Sequence, residues 1–190
     1  MKRIGILGDI GSGKSHIAKK FGYPVFNADR EVARLYKKDK IIFKKLKKIL
    51  PKYLNNFPVK KEQITNAILD NKQNLKKIIK IIHLEIKKKL NIFLKRNKNK
   101  KIIILDIPLL LENKINKRGD ILVFVESKKK EILKRLKKRS NYNQKLLNKF
   151  KKIQLSLDYK KKKSNFIIKN DFNDKTVKNY VKIILNHTYK

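Results

Sequence analysis

The 190-residue chain has no cysteine and no tryptophan, one methionine, four prolines and six glycines. Without cysteine it can build neither a disulfide framework nor a thiolate metal site, and a reducing compartment is the expectation. No apolar run approaches the length that crosses a bilayer, and residues 1–11 hold too short an apolar stretch for a secretory signal. The sequence therefore reads as a cytoplasmic protein without a membrane partner. Acidic residues are also scarce, 15 against 53 basic, for a formal net charge of +38. Arginine contributes little to that excess. It occurs only at positions 3, 30, 34, 96, 118, 135 and 139, and every other basic residue is lysine. Lysine, isoleucine and asparagine abound together, as AT-rich coding produces, and the lysines are spread over most segments. The charge is read as solvated faces rather than a nucleic-acid surface, although a basic protein attracts polyanionic substrates such as nucleotides.

Scarcity makes each arginine informative. Lysine replaces it wherever a point charge suffices, but not where a planar fork must grip phosphate or carboxylate. The pairs Arg30/Arg34 and Arg135/Arg139 have i,i+4 spacing and are expected to share helix faces that include functional positions.

Glycine is concentrated where it is present. Four of the six lie between Gly5 and Gly13, and Gly8-Asp9-Ile10-Gly11-Ser12-Gly13-Lys14-Ser15 matches G-x-x-x-x-G-K-[ST]. Residues 2–7 read as a β-branched strand before this loop and residues 15–21 as a helix after it. That is the setting in which loop amides cradle nucleotide phosphates. Lys14 is expected to reach the β- and γ-phosphates and the Ser15 hydroxyl to ligate Mg²⁺. Gly8, Gly11, Ser12 and Gly13 complete the expected ATP cradle, and the backbone of His16 directly follows it.

The chain continues as alternating α and β. Residues 24–27 read as a second strand and 29–36 as a helix. Residues 38–98 are mostly helical, broken near Pro51 and Pro58, with apolar residues at three- and four-residue spacing. That length exceeds a plain crossover and is expected to form a helical substrate-binding subdomain, about 38–99. Residues 101–107 read as a strand buried on both faces, 120–126 as the next, 128–138 as a Lys-rich helix, 165–168 as a fifth strand and 174–186 as a closing helix. The lysine runs 128–130 and 160–163 are taken as biased composition. The expected fold is α/β, a doubly wound parallel sheet of five strands with helices on both faces in one domain. Its core is 1–37, 100–138 and 164–190, with a lid at about 139–150. Ligands then bind at the carboxyl ends of the strands.

Those ends carry Asp29 and Asp106. Asp29 is read either as the carboxylate that accepts a proton from an attacking hydroxyl or as the cap of a helix beginning at Arg30. Asp106 is read either as a carboxylate organising Mg²⁺ and its waters or as a polar strand end. His83, on the Ile-rich segment, is either structural or a ligand contact. Arg135 and Arg139 precede the polar residues 140–145. Arg139 either arrives from a lid to stabilise the transferred phosphoryl group or lies on an ordinary solvated face.

Taken together, these segments resemble the dephospho-coenzyme A kinase family. GILGDIGSGKS is similar to its G-[LI]-T-G-G-I-G-S-G-K-S, PVFNADREVARLY to its P-V-[IF]-D-A-D-x-x-V-H-R-L-Y, and IIHLEIKKKL to its I-I-H-P-x-V-R. LDIPLLLE resembles D-[IV]-P-L-L-[FL]-E, RLKKR resembles R-L-x-x-R, and SNFIIKN resembles A-D-[FY]-V-I-x-N. The resemblance implies a P-loop NTPase fold and transfer of the γ-phosphoryl of Mg·ATP to the ribose 3′-hydroxyl of dephospho-coenzyme A. By the same resemblance Asp29 is the general base, Lys14 and the loop hold ATP, and Arg139 is a lid residue over the phosphates. Arg34, His83, Lys87, Pro108, Leu109 and Leu110 are placed by the acceptor. A monomer is expected. Four positions depart from the pattern: Asp9 and Asn27 for Gly and Asp, Ala33 for His, and Lys87 for Arg. Asp9 puts an acid beside the phosphates, Asn27 removes a second carboxylate, and Lys87 loses bidentate geometry. The rivals are a kinase for another nucleoside or nucleotide and a basic nucleic-acid-binding protein with a vestigial loop. A regulatory GTPase is disfavoured by the absence of N-K-x-D and D-x-x-G.

Overall fold

Five β-branched runs form a single parallel sheet because helical connections carry the chain back between them. The computed structural model describes residues 1–140 and 142–189. The strands are β1 (Lys2–Gly8), β2 (Val25–Asn27), β3 (Ile102–Asp106), β4 (Ile121–Glu126) and β5 (Phe166–Lys169), in the order β2-β3-β1-β4-β5. The helices are α1 (Lys14–Lys20), α2 (Ala28–Lys38), α3 (Lys40–Ile49), α4 (Lys61–Asp70), α5 (Lys72–Arg96), α6 (Lys129–Lys137), α7 (Gln144–Lys151), α8 (Leu157–Lys162) and α9 (Asp174–Tyr189). The chain divides into two compact units. One is Met1–Asn27, Asn97–Tyr142 and Ile153–Lys190; the other is Ala28–Arg96 and Asn143–Lys152.

The first unit is the sheet with its helices. Every residue of β3 is buried, as expected for a central strand covered on both faces. Ile4, Ile6, Ile102, Ile104, Val123, Val125 and Ile168 pack with Ile17, Ala18 and Phe21 of α1 and Val177, Val181 and Ile184 of α9. Alternation sends Ile103 and Leu105, also fully buried, to the opposite face. There the Leu110 side chain lies over Gly5, where an added Cβ would come within 2.6 Å of it. β1 starts beside an ion pair, Arg3–Asp120 at 3.1 Å, and Arg3 also donates to the Ile115 carbonyl. Burial raises the Asp120 carboxyl above its ordinary pKa even with the guanidinium beside it.

One part of this unit departs from the sequence reading. The lysine run 160–163, taken as biased composition, closes α8, with Lys160–Lys162 in the helix and Lys163 as its C-cap. Ser156 caps that helix by accepting from the Tyr159 N–H at 3.2 Å. Lys160 is only 1% exposed and pairs with Glu112 at 2.8 Å, and Glu112 also accepts from the Leu155 N–H. A buried ion pair thus fastens α8 to the segment that follows β3. Periodicity hid it because a lysine stood in the apolar slot.

The second unit is helical. The mostly helical stretch expected over 38–98 is three helices, with the expected breaks near Pro51 and Pro58 falling between α3 and α4. Asp39 caps α3 by accepting from the Ile42 N–H at 2.9 Å. The break between α4 and α5 falls at Asn71, whose side chain accepts from the Gln73 N–H at 2.8 Å in place of a helical bond. α7 packs within this unit: Leu147 is buried, and Lys149 donates to the carbonyls of Ile68 and Leu69 at the end of α4. Of the expected lid, residues 143–150 therefore belong to a helical unit. Asn141 lies outside the described residues.

Candidate active site

The phosphate loop spans the end of β1 and the start of α1, as its glycines require. Gly13 caps α1 in a left-handed conformation (φ 93°, ψ 11°) that a side chain would strain. Gly8 (φ 142°) has no room for one, because a Cβ there would meet the Val125 carbonyl at 2.6 Å. Lys14 Nζ lies along the loop, donating to the carbonyls of Asp9 at 2.7 Å and Gly8 at 3.1 Å. Asp9 turns its carboxylate onto the next peptide, accepting from the Ile10 N–H at 2.7 Å. The acid that replaces glycine is therefore tied to the loop's own backbone.

Beside the loop, the sheet register aligns Asn27 with Asp106. The Asn27 amide donates to the Asp106 carboxylate and lies 3.5 Å from the Ser15 hydroxyl oxygen. Asp106 is 3% exposed. Ser15, Asn27 and Asp106 are thus brought together. Where the family pattern has Asp, Asn27 supplies a donor to the neighbouring carboxylate instead of a second negative charge.

His16 turns away from this cluster. Its ring Nε2 is 2.8 Å from Asp174 on α9, while its backbone N–H donates to the Gly13 carbonyl. Lys20 reaches the same carboxylate at 2.6 Å. Lys20 first, then His16, hold the Asp174 carboxyl below its ordinary pKa. The expected helix face shared by Arg135 and Arg139 is not formed. α6 ends at Lys137 with Lys138 as its C-cap, so Arg139 lies in the following turn, exposed. The Arg135 guanidinium stacks over the Phe172 ring, 4.3 Å from its centroid. Of the residues after β3, Leu110 is core, whereas Pro108 and Leu109 are half-buried.

Sequence reasoning gave no role to two polar residues here, although Asn170 closes the SNFIIKN match. Ser127 and Asn170, each following the end of its strand, both donate to the Ser12 carbonyl. A short polar residue next after a strand at the ligand edge was the signal available.

In the second unit, α2 begins at Ala28, so Asp29 lies inside its first turn rather than capping a helix that starts at Arg30. Arg30 and Arg34 are both within α2, and Arg34 pairs with Glu31 at 2.6 Å on an exposed surface. Burial pushes the Tyr36 hydroxyl up to about 12. On α5 the ring Nε2 of His83 is buried without a hydrogen-bond partner among the described residues, an arrangement that favours a ligand contact over a satisfied structural histidine. Lys87, one turn later, is exposed.

No group of three or more His, Cys, Asp or Glu among the described residues could hold a metal ion. No described helix is long and apolar enough to cross a membrane.

Comparison with known proteins agrees with this geometry. The family model for dephospho-CoA kinase matches residues 2–176. A dephospho-CoA kinase of Wolbachia sp. subsp. Brugia malayi (strain TRS) is 34% identical over 187 residues, covering 96% of this chain and 95% of the relative. A Fusobacterium nucleatum dephospho-CoA kinase is 34% identical over 179 residues, covering 90% of each. Among solved structures, a Thermus thermophilus protein superposes with a TM-score of 0.79 at 24% identity, covering 98% of this chain and 97% of that one. A Campylobacter jejuni dephospho-CoA kinase superposes at 0.61 with 20% identity and the same coverage. A family match across most of the length, together with the phosphate loop and its parallel sheet, places the chain in the dephospho-CoA kinase family.

Proposed function

We propose that the protein transfers the γ-phosphoryl group of ATP to the ribose 3′-hydroxyl of dephospho-coenzyme A, giving coenzyme A and ADP. The observation that carries this reading is an intact phosphate loop with Ser15 and Asp106 clustered beside it, in a chain of this family. The acceptor oxygen forms a bond to the γ-phosphorus as the bond to the β-bridging oxygen breaks. ADP leaves, and the hydroxyl proton passes to Asp29. Lys14, now on loop carbonyls, moves onto the β- and γ-phosphates when nucleotide enters. The reaction makes modest covalent demands, so the protein contributes mainly position and charge.

Magnesium fits the donors present. A magnesium ion bound to nucleotide takes most of its ligands from phosphates and water, so one or two protein oxygens suffice. The Ser15 hydroxyl would bind it directly and Asp106 through water, with Asn27 holding that carboxylate in place. Its chemistry is neutralisation of charge on the phosphates. His83, Lys87, Arg34 and the Pro108–Leu109 turn are assigned to the acceptor, and the His83 nitrogen, buried without a hydrogen-bond partner among the described residues, supports the first of these. Arg139 is assigned to the phosphoryl group during transfer. A cytoplasmic monomer acting on small molecules is the setting that fits.

Phosphorus NMR of the product tests the regiochemistry. The expected product carries one new monoester at the 3′ position. A phosphate at any other position, or on AMP or adenosine in preference, contradicts the reading.

A further inference from the structure

The Ser12 carbonyl is held by two side chains from outside the loop. Asn170 Nδ2 donates to it at 2.8 Å and Ser127 Oγ at 3.1 Å. The sheet puts them there. β4 and β5 pair in parallel with Glu126 opposite Lys169, so Ser127 and Asn170 are the next residues on adjacent strands. The Asn170 N–H continues that ladder to the Glu126 carbonyl at 2.7 Å. Asn170 is itself held at its other end, where its side-chain oxygen accepts from the Phe172 N–H at 3.0 Å. That bond fixes which end of the amide faces the loop. Asn170 is 6% exposed and packed so tightly against Gly13 that a Cβ there would lie 2.6 Å from its nitrogen.

A trans peptide is planar, with its C=O and the following N–H pointing in opposite directions. Holding the Ser12 oxygen toward the ends of β4 and β5 therefore turns the Gly13 N–H to the other side of that peptide. Gly13 is free to leave its left-handed conformation, since glycine populates both signs of φ with little preference. Backbone bonds hold the peptides on either side, the Ser12 N–H to the Asp9 carbonyl and the His16 and Ile17 N–H groups to the Gly13 carbonyl, and the two side-chain donors hold the peptide between them.

We propose that Asn170, assisted by Ser127, is a positioning residue for nucleotide. It locks the Ser12–Gly13 peptide so that the Gly13 N–H is presented to the phosphates of a bound oligophosphate. Neither side chain touches the ligand. The inference rests on the reading of residues 8–15 as a phosphate loop, and not on which acceptor is phosphorylated.

The test is calorimetric binding of Mg·ADP and of inorganic tripolyphosphate to the full chain and to the variants Asn170→Asp and Ser127→Ala. Asn170→Asp keeps the shape but turns an acceptor toward the carbonyl. It is expected to weaken both ligands by about tenfold or more, the size of one lost hydrogen bond to a carbonyl plus the repulsion that replaces it. Ser127→Ala is expected to weaken both by about threefold. The KM for dephospho-coenzyme A should stay within about twofold in both variants, a split that general loosening would not produce. Unchanged affinity for both ligands in Asn170→Asp overturns the proposal. So does loss of ADP affinity with tripolyphosphate unaffected, which would make Asn170 a contact of the base. If Asn170→Asp does not fold, Ser127→Ala decides, and unchanged tripolyphosphate affinity there overturns the proposal. Parent protein that binds neither ligand overturns it as well. Parent protein that binds both, yet ignores dephospho-coenzyme A, contradicts the proposed activity while supporting the role of Asn170.

Discussion

Asp29, Asn27 and Asp106 make distinct and separable claims. Asp29 lies in the first turn of α2 and not at its cap, where a carboxylate still favours the helix N-terminus, and its replacement is expected to cost far more catalysis than stability. Asp29→Asn is expected to lower kcat by roughly 10²–10⁴-fold while the protein remains folded. Turnover within about tenfold of the parent would remove the general base. Asn27→Asp would set a second carboxylate directly opposite Asp106 in the register of β2 and β3. Like charges at that separation make the folded state prefer a shared proton, so the variant's stability deficit should grow as pH rises and shrink as it falls. Thermal melts of parent and variant between pH 5 and 8 measure this, and a constant difference contradicts it. The scarcity of arginine was a useful guide only in part. It singled out Arg135, which stacks on Phe172, but passed over Arg3, whose guanidinium serves a buried ion pair with Asp120. Rarity signalled a need for the arginine fork without telling catalysis from structure.

At the scale of elements, the strands were legible because burial on both faces leaves continuous β-branched runs, as in β3 and β4. The phosphate loop was legible because three glycines, a lysine and a serine at fixed spacing have few other uses. What periodicity could not see was polar chemistry across long sequence separations. The Asn71 break is one case, and α8 with its Lys160–Glu112 pair is another. Breaking that pair alone leaves a buried charge. Lys160→Met is expected to destabilise the fold by about 3–5 kcal/mol, and the double change with Glu112→Leu to restore most of the loss. Denaturant unfolding distinguishes this from a surface pair, for which the single change would cost about 1 kcal/mol or less. The junction of α1 and α9 predicts a pH effect. Asp174 is held below the ordinary carboxylate range by Lys20 and His16, and Asp171 by the Asn173 N–H and Thr176. Each depressed group contributes its stability in full above the unfolded carboxylate pKa of about 4, and loses it as pH falls through the lower folded value. Asp174→Asn should therefore make the acid-side fall in melting temperature shallower. An unchanged acid limb would mean that this exposed cluster carries no linkage.

For the whole molecule, the charge of +38 and the small-molecule kinase reading point toward different partners. The family match supports the second. The phosphate site takes its glycines, Ser12, Lys14 and Ser15 from the end of β1, the loop and the start of α1, with Asp106 at the end of β3. Lysines occur in every helix, from α1 to α9. If biased composition alone produced the charge, Lys14→Ala should abolish activity although it removes one positive charge among many. Activity that survived it would return weight to nucleic-acid binding. The most direct measurement of the central claim is ADP release from Mg·ATP with dephospho-coenzyme A, adenosine, AMP or no acceptor. Strong stimulation by dephospho-coenzyme A alone is expected, with coenzyme A as the product. Equal rates with all four would contradict it.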